Sequence, residues 1–124
     1  MKIKTYVTIA TFLIAVSISG CSGIPEGMSK DTYDTGMKAL EIMDKYNDAD
    51  ITADEADQRL DRLYERLDNL ELSDEPSGKY GYGLSEEDYN LNVQTTITLF
   101  QYDLFSGGDT YTTADELREM LDLN

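Results

Sequence analysis

The sequence contains no histidine and no tryptophan, a single cysteine, and only two prolines in 124 residues. Each shortage removes something. Without His, and with one Cys, the common Ser–His–Asp and Cys–His nucleophilic arrangements cannot be assembled. Transition-metal sites lose the imidazole and thiolate ligands they prefer. One Cys cannot close a disulfide within the chain, so the fold has no covalent staple. Positive charge is scarce as well: 10 Lys and Arg face 25 Asp and Glu, a formal net charge of −15. Such a field repels nucleic acid and anionic lipid head groups, and favours cations, basic partners and solubility. The one uncharged, largely apolar run, residues 6–19, falls short of the roughly 20 residues that a bilayer core demands.

What stands at the N-terminus has three parts. Lys2 and Lys4 make a short positive start, the apolar run follows, and Ile18-Ser19-Gly20-Cys21 closes it. A positive start, a short apolar stretch and small residues before a cleavage point describe a secretory signal peptide. The lone Cys lies at the end of this segment. Ile18-Ser19-Gly20-Cys21 resembles the lipobox of bacterial lipoproteins: an aliphatic residue, two small residues, then Cys. The resemblance covers about the first 22 residues and implies a diacylglyceryl group on the Cys21 thiol, with cleavage just before it. Two acyl chains (palmitate is typical of such anchors) give stable membrane attachment where one gives only marginal binding, at roughly 0.8 kcal/mol per buried methylene. Ser22, not Asp, follows the Cys, which leaves both a Gram-positive surface and an outer membrane as destinations. The expected organisation is a signal peptide over 1–20, a flexible tether over 21–28 containing Gly23, Pro25 and Gly27, and an acidic helical domain over 29–124. Without residues 1–20, 8 basic side chains face 25 acidic ones, a formal −17. The remaining chain suffices for one small domain with a modest core.

Helical periodicity dominates that domain. Over 29–46, Ser29 can cap a helix whose inner face carries Tyr33, Met37, Leu40 and Met43. Gly36 within it costs about 1 kcal/mol relative to Ala, so the helix is expected to begin at either Ser29 or Thr35. Thr52-Ala53-Asp54-Glu55 is a capping box. After it, Ala56, Leu60, Leu63, Leu67 and Leu70 alternate steps of four and three in a coiled-coil-like seam. The stretch 73–84, with Pro76 and repeated Gly, reads as a linker. Residues 89–105 are ambiguous. Tyr89, Val93, Ile97, Phe100 and Leu104 keep helical spacing, whereas Leu91, Val93, Ile97 and Leu99 fit alternation and Thr95, Thr96 and Thr98 favour strand. Gly107 and Gly108 suit a helix end. Helix is the preferred reading, and a strand here would make the domain α+β. Thr113-Ala114-Asp115-Glu116 reads as a second capping box, opening a short helix with Leu117, Met120 and Leu121 inside. The expected fold is mainly α: a small antiparallel bundle of three to four helices.

Three constellations are candidates for chemistry. Asp44, Asp48, Asp50 and Glu55 lie between two expected helices, and with Asp44 at loop position 1, Asp48 falls at 5 and Glu55 at 12 of an EF-hand frame. Tyr46 and Ala49 occupy positions where an oxygen ligand and a Gly belong, so this is a weak calcium candidate and equally a solvated acidic turn. Lys79-Tyr80-Gly81-Tyr82 places two aromatic rings and a rare positive charge on a flexible backbone. Rigid amphipathic rings on loops are economical contact groups, and these either face a partner or fold down over the bundle. Ser77 and Lys79 could form a dyad, but no oxyanion frame accompanies them. The chain therefore reads as non-catalytic, with no cofactor. The layout of lipobox, tether and acidic helices resembles small lipoproteins of Gram-positive bacteria that have no assigned activity, which implies a surface location and supplies no catalytic residue. Two functional expectations follow. One is a membrane-anchored interaction module for a protein or other envelope partner. The other is an acidic domain that responds to calcium.

Overall fold

Four helices account for most of the computed structural model, which describes residues 23–123. Cys21 and the expected signal peptide lie outside the described residues. The helices are α1 (Lys30–Asn47), α2 (Ala53–Asp68), α3 (Glu86–Ser106) and α4 (Thr110–Met120).

Local chemistry sets each start. The Ser29 side chain accepts the Thr32 N–H at the head of α1. Thr52 and Glu55 form the reciprocal capping box of α2, and Ser85 with Asp88 forms another at α3. These acids also complement the positive end of each helix dipole. Asp109 caps α4 by accepting the N–H groups of Tyr111 and Thr112. The expected second box at Thr113 is therefore displaced. Thr113 is buried inside α4, where its hydroxyl donates to Asp103 Oδ2 at 2.8 Å. Asp109, four residues earlier, takes the capping role because its carboxylate reaches two orphan amides at once.

The strand alternative for 89–105 does not hold. That segment lies within a 21-residue helix that Gly107 ends in the left-handed conformation. Val93, Ile97 and Phe100 are fully buried on one face and Leu104 nearly so. The β-branched Thr residues are accommodated because tertiary burial of this stripe outweighs their local preference.

The helices run up, down, up, down. Neighbours in sequence pack together, α4 returns to α1, and α1 also meets α3 across the core. Asn47 bonds Thr110 and Asp44 bonds Arg118, so α1 and α4 are antiparallel. Leu40, Met43, Leu60, Leu67, Ile97, Phe100, Leu117 and Leu121 fill the centre. Tyr46 meets Phe100 edge to face with centroids 6.0 Å apart, a favoured aromatic geometry.

Gly36 does not delay α1. It lies inside the helix and is buried, and a Cβ there would stand 3.0 Å from Leu121 Cδ2. Its propensity cost is offset by the close approach of the residue that follows α4. A small polar chain crosses the end of the bundle where α1 begins. Ser29 Oγ donates to Thr32 Oγ1 at 2.9 Å, and Asn90 Nδ2 donates to the Leu67 carbonyl at 3.0 Å. Asn90 thus adds a second donor to a carbonyl in the last turn of α2 that also accepts the Leu70 N–H at 3.3 Å. Among the described residues, no buried side-chain polar atom lacks a partner.

Part of the expected tether is packed. Met28 is buried and Ile24 rests against the core. A Cβ on Gly27 would collide with Ser77, so this segment lies against the α2–α3 connection.

Candidate functional site

The α2–α3 connection carries the two tyrosines singled out from sequence. Its base is pinned by a reciprocal backbone pair: the Gly83 N–H donates to the Ser77 carbonyl at 2.8 Å, and the Ser77 N–H donates to Gly83 at 3.2 Å. Inside this clasp the Gly81 N–H donates to the Gly78 carbonyl, and both glycines take positive φ. The backbone therefore reverses tightly and throws the intervening side chains outward. Tyr80 is 75% exposed and Tyr82 91% exposed. The rings stand free and do not fold over the bundle. The Lys79 ammonium lies 5.6 Å from the Tyr80 ring centroid, within cation–π range. Lys79, Tyr80 and Tyr82 thus form one exposed group on a clasped loop, beside the segment 24–28.

The four acids of the expected calcium frame are not brought together as a ligand set. Asp44 lies within α1 and is gripped by Arg118, whose Nη2 donates to both carboxylate oxygens at 2.8 and 2.9 Å. Asp115 holds the other end of the same guanidinium at 2.6 Å. These hydrogen bonds, Asp44 first, raise the Arg118 pKa. Glu55 is committed to Thr52, whose backbone N–H bond is the largest cause holding its carboxyl below the ordinary value. Asp48 is the C-cap of α1. Ala49, at the place where the frame requires Gly, adopts a positive φ of 65°. The turn is closed by backbone bonds from Ala49 to Tyr46 and from Asp50 to Lys45. Caps, backbone bonds and the Asp44–Arg118 ion pair hold this turn. Among the described residues, no group of three or more His, Cys, Asp or Glu side chains is placed to hold a metal ion.

Sequence reasoning missed the bidentate Asp44–Arg118 pair, since 74 residues separate its members. It also missed the outer face of α3. Leu91, Leu99, Tyr102 and Phe105 are between 48% and 70% exposed. The helix carries no charge between Asp88 and Asp103. A signal was present in that uncharged run, but it read as a choice between helix and strand and not as two separate faces.

The surface depressions found among the described residues are open to solvent. One, of about 450 Å³, runs along α1 past Met37, Lys38 and Asp44, and its one buried carbon wall is Leu40. No helix among the described residues is long and apolar enough to cross a membrane. No protein-family model, curated protein or solved structure matches the chain.

Proposed function

We propose that the chain is a membrane-anchored, extracytoplasmic lipoprotein that works as a non-catalytic interaction module. In this reading residues 1–20 are removed, two acyl chains on Cys21 hold the domain to the membrane, and the bundle stands in solvent as a strongly anionic body. Support for the anchor comes from the lipobox at Ile18-Ser19-Gly20-Cys21. Support for the interaction role comes from one observation above all: Tyr80 and Tyr82 are held almost fully exposed on a clasped loop, with Lys79 alongside. Burying two such rings costs little side-chain entropy and contributes a large contact area. The partner is a protein or another envelope component that accepts aromatic side chains. Its own charge is neutral or basic, because an acidic partner would meet the field of 25 carboxylates.

Crosslinked capture from intact cells with the native protein as bait tests the role. A specific envelope component should be recovered, and Tyr80→Ala with Tyr82→Ala should reduce its recovery by tenfold or more, given roughly 2 kcal/mol for an aromatic anchor. Unchanged recovery in the double variant removes the loop from the proposal. Intact mass of the purified native protein tests the anchor separately: residues 1–20 still attached, or an unmodified thiol at Cys21, ends that part.

A further inference from the structure

A second contact surface runs along the outside of α3; its test rests on the proposed lipidation, which blocks the Cys21 thiol and carries the chain into the membrane fraction, and the intact mass given above checks that separately. Leu91, Thr95, Thr98, Tyr102 and Phe105 follow one another in steps of four and three, with Leu99 beside them, and all six are exposed. Steps of four and three are the spacing of a helix–helix seam. The opposite face of the same helix is already used by the core. Among the described residues, the outer one has no partner.

We propose that this face is covered by a second copy of the same chain, α3 against α3. Three observations favour a copy over a different partner. First, charge: the molecule carries 25 acidic and 10 basic side chains, so two copies repel wherever carboxylates oppose each other. From Tyr89 to Tyr102 α3 itself holds none, so like-charged copies can touch along that stretch with their acids set to the sides of the seam, where Asp57, Asp61 and Asp68 of α2 meet Gln101 and Gln94. Second, a basic partner would be steered to the acidic helices and would gain nothing from an uncharged seam. Third, area: the four large side chains, 48% to 70% exposed, offer roughly 500 Å² per copy, on the order of 1,000 Å² for a pair. That is at the lower limit for a specific interface and fits a reversible dimer. A patch of that size per copy is within the range of about 300–600 Å² for the largest apolar patch of a monomer, which is often functional.

The test uses the full chain expressed in bacterial cells with Thr98→Cys, oxidised briefly and analysed without reductant. A disulfide-linked band of twice the chain mass is expected. Neither the unaltered chain nor Gln58→Cys, an exposed position on α2, should give it. Adding Tyr102→Glu to Thr98→Cys should remove the band. In washed membranes the yield should rise several-fold from about 0.01 M to about 1 M NaCl, because the screening length falls from about 30 Å to about 3 Å and the mutual repulsion fades. Thr95→Cys, also at an exposed position, repeats the test should the first variant fail to accumulate. Several outcomes overturn the proposal: no band from either position, equal bands from position 58, a yield that falls with salt, or a band of another mass that reveals a different protein on the seam.

Discussion

Replacing Gly36 by Ala should destabilise the bundle, against the usual expectation for a glycine inside a helix. In an open helix the change gains about 1 kcal/mol from propensity. Here the added Cβ would meet Leu121 Cδ2 at 3.0 Å, with Leu121 Cδ1 at 3.5 Å and Val93 Cγ1 at 3.7 Å. Carbon atoms pack best at about 3.5–4.0 Å, so one methyl of Leu121 must retreat by about half an ångström. Leu121 is fully buried and has little room to do so. Overpacking of this kind costs about 1–3 kcal/mol. The net effect of Gly36→Ala should be a loss of about 1 kcal/mol, or roughly 4–8 °C in Tm for a domain of this size. The decisive comparison is with Leu121→Ala. That change alone should cost about 2–5 kcal/mol, but it removes the obstructing methyls. In its background Gly36→Ala should stabilise by about 1 kcal/mol, so the two positions should couple by about 2 kcal/mol. Urea unfolding of the four proteins, followed by helical circular dichroism, measures this directly. Equal effects of Gly36→Ala in both backgrounds would refute the packing account of this glycine.

Other outcomes follow from the same structure. Leu60→Ala, at a fully buried position, should cost about 3 kcal/mol in the same denaturation assay. Arg118→Met keeps the side-chain stem but removes the clamp on Asp44 and Asp115; since Arg118 is about one-third exposed and both acids more so, the loss should stay below about 1 kcal/mol and shrink in high salt. The Glu55 and Asp109 carboxyls are both held below their ordinary pKa, Glu55 chiefly by the Thr52 backbone N–H and Asp109 chiefly by the Thr112 hydroxyl. A depressed carboxyl stabilises the fold above its unfolded pKa, and this is lost as pH falls through the folded value. Acid melts of Glu55→Gln and Asp109→Asn should therefore lose stability less steeply on acidification than the parent protein, and parallel profiles would contradict the assigned hydrogen bonds. Calcium should raise Tm no more than sodium of equal ionic strength, because Asp44 and Glu55 are already engaged and only general screening remains.

Much of the architecture is legible in the sequence. The Thr52 box and the spacing of Ala56, Leu60 and Leu67 specify α2 almost completely, because capping and amphipathic periodicity are local and agree with each other. Residues 89–105 are helical for the same reason, through Val93, Ile97, Phe100 and Leu104. What could not be read depends on contacts between distant segments. Gly36 looked like a weak point because Leu121, its neighbour in space, lies 85 residues away. Thr113 looked like a cap because Thr-Ala-Asp-Glu repeats the local pattern of Thr52, and only the nearer Asp109 decides otherwise. Asp44 looked available for a cation until Arg118 arrived from α4. For the candidate site, sequence located Lys79, Tyr80 and Tyr82 but not their exposure, which follows from the Ser77–Gly83 clasp. The mixed composition of α3 concealed its second face.

The order of the helices also bears on how the chain can be divided. Residues 48–52 and 107–109 are short turns, so α1 with α2, and α3 with α4, are each a helical hairpin of neighbours. Only the stretch 69–85 joins one hairpin to the other, and its tip protrudes from the body. Local hairpins of this kind form quickly, and closing the longer connection is the slower event. A single proteolytic cut between Gly78 and Gly83 would thus leave two halves with few lost contacts, joined through the shared interior of Leu60, Leu67, Ile97 and Leu117.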